Sequence, residues 1–159
     1  PINRISKYVL IAGSDDIGIY YNKLGETKYK KLLTESNLKI KSGQGEKIIC
    51  ELLPDNVFSY KSFYDMLNPD GDYNVFPFLE FTSKVKLSKR PLFNYFKEID
   101  KPSLIIYGEN DEYLNINVKK IVNTLKKFQP SFGYKIISHA SHNFTNEMDE
   151  VGKIVAAWL

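Results

Sequence analysis

Ser103-Leu-Ile-Ile-Tyr107, closed by Gly108, is the most constraining stretch of this 159-residue chain. A run with no polar alternation fits a strand of a parallel sheet covered on both faces, because an antiparallel strand with one wet face would alternate. Tyr8-Val-Leu-Ile-Ala12 ahead of Gly13 repeats the pattern, and Tyr134 to Ser138 is a shorter third case. Between the second and third strands Val118, Ile121, Val122 and Leu125 recur at helical spacing, with Asn115 or Asn117 as N-cap and Pro130 past the end. A second helix is expected after the third strand. Thr145 or Asn146 would cap it, Glu147, Asp149 and Glu150 fill its first turn, and Met148, Val151, Val155 and Trp158 form its buried face. Strand, helix, strand, helix is a parallel α/β unit.

Far more chain separates the first two strands than a crossover needs. The excursion from about residue 15 to 98 therefore reads as an insertion with helices of its own. Tyr29 to Leu33 looks helical, and Ser42-Gly-Gln-Gly45 reads as a turn, since it lacks the Lys-Ser/Thr of a phosphate loop. Residues 58 to 96 hold eleven of the 22 aromatics, including Phe58, Phe63, Tyr73, Phe78 and Phe96. Such a piece must bury its own apolar surface and reads as a lid or cap.

Composition excludes several classes. A net charge of +3 with scattered lysines does not describe a nucleic-acid surface. No apolar run approaches membrane-spanning length. Cys50 is the only cysteine, which fits a reducing, cytoplasmic setting. His139 and His142 lack the companions that would complete a metal site, and no cofactor is expected. Pro1-Ile-Asn-Arg4 resembles no signal peptide and starts without methionine, so the protein is expected to begin further upstream.

Two residues stand where parallel sheets bind ligands, on loops beyond strand C-terminal ends. Asp111 follows Gly108-Glu-Asn, and His142 lies in Ala140-Ser-His-Asn-Phe144, 31 residues later. One helix and one strand separate them, which sets their loops side by side. A carboxylate and an imidazole so placed are two thirds of a nucleophilic triad. The plain alternatives are a turn aspartate and a solvent-exposed histidine. Glu109, Glu112 and Asp16 are rival carboxylates. His139, at a strand end, suits a structural or lining role.

The sequence Ile99-Asp-Lys-Pro-Ser-Leu-Ile-Ile-Tyr-Gly-Glu-Asn-Asp-Glu-Tyr113, followed by Ala140-Ser-His-Asn-Phe144 and a closing amphipathic helix, resembles the C-terminal half of α/β-hydrolases. That resemblance implies an α/β fold, with parallel strands at one edge of a three-layer sandwich and a helical, aromatic-rich cap inserted at about 15–98. It implies Asp111 as the acid and His142 as the general base of an enzyme cleaving an ester or related acyl bond of a small molecule. The segment Ser59-Tyr-Lys-Ser-Phe63, with Asn68-Pro-Asp-Gly-Asp72 ahead of Phe76, resembles a largely uncharacterised hydrolase subfamily found in fungi and other organisms. The chain departs from the family in lacking any Gly-x-Ser-x-Gly elbow. The nucleophile, and a partner strand for Tyr8–Ala12, are therefore expected from a missing N-terminal half or another chain. These residues alone are expected to be inactive. A non-catalytic binding protein of the same fold, and a hydrolase with an aspartate nucleophile, remain open alternatives.

Overall fold

The computed structural model describes residues 5–53, 56–114 and 116–159. It is a mixed α/β structure whose contacts divide the chain into two compact units. One is the segment ending at Ser14 together with Phe96–Leu159; the other is Asp15–Tyr95.

In the first unit β1 (Tyr8–Ile11), β4 (Ser103–Gly108) and β5 (Gly133–Ile137) form a parallel sheet in the order β1-β4-β5. Tyr8 pairs with Ser103, and Leu104 with Gly133. The all-apolar β4 is central and buried at every position. β1 departs from the expectation of cover on both faces: it is half-buried, and Ile11 is 45% exposed. The physical reason is its place at the edge, where β4 is its only strand partner among the described residues.

α6 (Val118–Phe128) buries the expected stripe of Val118, Ile121, Val122 and Leu125. Asn117 is its N-cap, accepting from the Lys119 N–H at 3.0 Å, while Asn115 lies outside the described residues. α7 (Met148–Trp158) covers one sheet face, where Val151, Ile154, Val155 and Trp158 pack with Val9, Leu104, Ile106 and Ile137. Two expectations for α7 are corrected. Glu147, not Thr145 or Asn146, holds the N-cap position and makes no side-chain cap bond. Those residues are taken up by a turn in which the Glu147 N–H donates to the Phe144 carbonyl at 3.0 Å. Met148, placed at the first helical position by that delay, is 62% exposed, so the buried stripe starts one turn later at Val151. Gln129 ties the entry to β4, its Nε2 donating to the carbonyls of Phe96, Lys97 and Ile99.

The second unit has a core of its own. α1 (Asp16–Leu24), α2 (Glu26–Lys41) and α3 (Tyr60–Leu67) surround Ile17, Tyr20, Tyr29, Leu32, Phe63 and Leu67. Phe58 makes edge-on contacts with Tyr20 and Phe63, at centroid distances of 5.4 and 5.8 Å. Its helices were expected, but the antiparallel hairpin of β2 (Ile48–Leu53) and β3 (Asn56–Ser59) was not. Two short helices follow, α4 (Phe78–Thr82) and α5 (Asn94–Lys97), the latter crossing the unit boundary. Phe78 and Phe81 pack on Phe93, whereas Phe96 sits in the first unit against Phe132.

Carboxylates hold the irregular part of this unit. Asp15 caps α1 by accepting from the Gly18 N–H at 2.7 Å, and its other oxygen accepts from the Leu79 N–H at 2.6 Å. Glu80 accepts from the N–H groups of Leu87 and Ser88, and Asp70 from those of Lys89 and Arg90. Burial pushes the Asp15 carboxyl up to about 6, against the pull of its two backbone donors.

Candidate active site

Asp111 and His142 are brought together by the loops after β4 and β5. Both Asp111 oxygens lie 3.0 Å from His142 Nδ1. The Asp111 side chain is fully buried, while that of His142 is 25% exposed. An ionised carboxylate accepts only, so the neutral imidazole carries its proton on Nδ1 and leaves Nε2 with a free lone pair. Among the described residues Nε2 has no hydrogen-bond partner.

The approach of the two loops depends on Gly108. A Cβ built there would lie 2.5 Å from the Ala140 carbonyl oxygen and 2.6 Å from that of Ser141, so only glycine fits. Backbone bonds then stitch the loops: the Glu109 N–H donates to Ile137 O and the Asn110 N–H to Ala140 O, each at 2.9 Å. Two non-glycine residues in the left-handed region flank the histidine, His139 at φ 62° and Phe144 at φ 51°. Backbone strain of this kind persists only where the surroundings over-determine it. Here the buried Phe144 ring and the paired loop backbones do so.

The rival carboxylates have other tasks. Glu112 accepts from the His142 backbone N–H at 3.0 Å, and that bond holds its carboxyl below the usual carboxylate range. Glu109 accepts from the His139 N–H at 3.3 Å and lies 3.9 Å from Lys119 Nζ. Asp16 is in the first turn of α1. His139 is an exposed turn residue whose carbonyl accepts from Asn110 Nδ2 at 3.4 Å. Sequence reasoning missed the part of Tyr113, whose ring centroid lies 4.5 Å from that of His142 at a tilt of 58°. The available signal was the unbroken Asp-Glu-Tyr triplet in one turn. Tyr107, beneath the site, donates its hydroxyl to the Gly13 carbonyl at 2.8 Å, and burial pushes that phenol well above its ordinary range.

The arrangement can move a proton: Nε2 can accept one while the buried carboxylate stabilises the resulting imidazolium. Among the described residues no group of three or more His, Cys, Asp or Glu is placed to hold a metal ion, and no helix is long and apolar enough to cross a membrane.

No curated protein and no solved structure matches the chain. One family does, described as "Protein of unknown function (DUF1749)", and its match runs over residues 2–157. With nearly the whole sequence inside that match, the chain belongs to the DUF1749 family.

Proposed function

We propose that this chain supplies the acid and the base of a serine-type hydrolase acting on an ester or related acyl bond. The observation that supports it is a buried carboxylate with both oxygens 3.0 Å from Nδ1 of a histidine whose other nitrogen has no hydrogen-bond partner among the described residues. In this reading a serine hydroxyl attacks the substrate carbonyl as His142 Nε2 takes the hydroxyl proton. Asp111 holds the tautomer that makes Nε2 the acceptor and stabilises the imidazolium. Collapse of the tetrahedral intermediate expels the leaving alkoxide, which receives that proton from Nε2. Water then attacks the acyl-serine with the same histidine as base, and the acid product leaves.

The serine lies outside these residues, which hold no Gly-x-Ser-x-Gly sequence; Ser141 adjoins the base on its own loop. We assign it to the remaining part of an α/β-hydrolase fold, paired along the outer edge of β1. The half-buried β1 with its exposed Ile11 supports that pairing, since a bare apolar edge invites a neighbouring strand. The Asp15–Tyr95 unit is the corresponding cap insertion. Most of its large aromatics are engaged in packing within it, so they do not specify the substrate.

A serine-directed fluorophosphonate tests the reading. The complete protein should be labelled covalently, and His142→Ala should lose nearly all labelling. The 159 residues alone should stay unlabelled. Labelling of the isolated chain would place the nucleophile within it, and an unreactive complete protein would favour the non-catalytic binding protein or the hydrolase with an aspartate nucleophile over the serine enzyme.

A further inference from the structure

Three consecutive residues grip one histidine in three different ways. Asp111 holds Nδ1 through its carboxylate, Glu112 holds the His142 backbone N–H, and the Tyr113 ring lies against the imidazole. The first two contacts fix the loop and one ring nitrogen. They do not fix the ring plane: an imidazole held at Nδ1 by two equidistant oxygens can still swing, and the swing is largest at Nε2. A ring packed 4.5 Å away opposes that motion. Tyr113 is itself set by the same carboxylate, since its backbone N–H donates to Asp111 Oδ1 at 3.0 Å. Core packing does not account for its place, because the residue is 46% exposed.

We propose that Tyr113 is a positioning residue that locks the His142 imidazole in the orientation set by Asp111. The ring contact makes one rotamer dominant and so keeps Nδ1 on Asp111, which sets the tautomer. A ring free to swing off the carboxylate would average between tautomers, whereas the held ring keeps Nε2 in a single direction. The contact is an aromatic pair when the imidazole is neutral, and it gains a cation–π component once the imidazole has taken a proton. The two other carboxylates on the Asp111 loop are turned to other partners: Glu112 to the His142 backbone N–H, and Glu109 to His139 N–H and Lys119. The inference rests on the reading of His142 as the base, yet its test does not need turnover.

The experiment is a long-range ¹H–¹⁵N correlation of the imidazoles in the ¹⁵N-labelled complete protein, above the ordinary histidine titration range. The His142 signals are assigned by their loss in His142→Gln. Wild type and Tyr113→Phe should both show the Nδ1–H tautomer with two well-separated nitrogen shifts. Tyr113→Leu should bring the two shifts together through averaging and, on an ester substrate, lower kcat roughly tenfold with KM nearly unchanged. Asp111→Asn should disturb the tautomer more than any Tyr113 variant. Unchanged shifts in Tyr113→Leu beside altered shifts in Asp111→Asn would overturn the role of Tyr113 and leave the pair standing. Unchanged shifts in both would overturn the pair and the acid–base reading with it. A Tyr113→Phe spectrum like that of Tyr113→Leu would move the effect to the hydroxyl and also overturn the ring contact.

Discussion

Gly108 lies so close to Ala140 that a methyl group on it would sit 2.5 Å from the Ala140 carbonyl oxygen. The last residue of β4 thus sets how near the His142 loop can come to Asp111.

Gly108→Ala is expected to push the Ala140–Ser141 backbone outward and to lengthen the Asp111–His142 contact. The two carbonyl oxygens belong to backbone and cannot rotate aside, so the displacement passes to the loop. A loss of about 1–3 kcal/mol of stability should accompany it, as for other overpacked sites. A crystal structure of the variant with the Nδ1–carboxylate distance unchanged would contradict this.

Asp15 should make the stability of the Asp15–Tyr95 unit depend on pH. Its folded value is raised to about 6 from an ordinary 3.8, so between these values the folded state holds a proton that the unfolded state lacks. Stability from this group is therefore fully present below the ordinary value and falls as pH rises through about 6. The loss is on the order of 2–3 kcal/mol at most. Hydrogen-exchange protection of the Gly18 and Ile19 amides, corrected for intrinsic rates, should fall from pH ~5 to pH ~7. Asp15→Asn should flatten that profile. Protection that rises across the same window would show that the folded state favours the charged form.

Ser36 is fully buried in α2, and its hydroxyl has no hydrogen-bond partner among the described residues. An unsatisfied buried hydroxyl costs about 1–3 kcal/mol, and alanine is the better helix former. Ser36→Ala should thus raise the denaturation midpoint, by roughly 1 kcal/mol in stability. A lowered midpoint would mean that the hydroxyl is satisfied after all.

Legibility in the sequence followed the strength of each local signal. β4 was readable because its run is apolar throughout, and α6 because its stripe keeps helical register over two turns. Asp111 and His142 could be singled out because each follows a strand of the same parallel type. The hairpin of β2 and β3 was not readable: Ile48–Leu53 is a short stretch broken by Glu51 and without strict alternation, which periodicity cannot assign. Nor did composition reveal the start of α7, where a turn consumed the two best capping residues. The contacts of Glu112 and Tyr113 with His142 were hidden for a different reason. Glu112 and His142 lie 30 residues apart on two separate loops, and no local pattern in the sequence marks such a pairing.

Steady-state hydrolysis of p-nitrophenyl esters by the complete protein and its His142→Ala, Asp111→Asn and His139→Ala variants decides whether Asp111 and His142 act as acid and base. His142→Ala should lose nearly all kcat. Asp111→Asn should be severe, approaching the ~10⁴-fold seen when the triad acid of chymotrypsin-type enzymes is so changed, because asparagine favours the wrong tautomer. His139→Ala should stay within a few-fold of wild type. Ester turnover that survives both the His142 and the Asp111 changes at wild-type rates would contradict the central claim that these two residues are its base and acid.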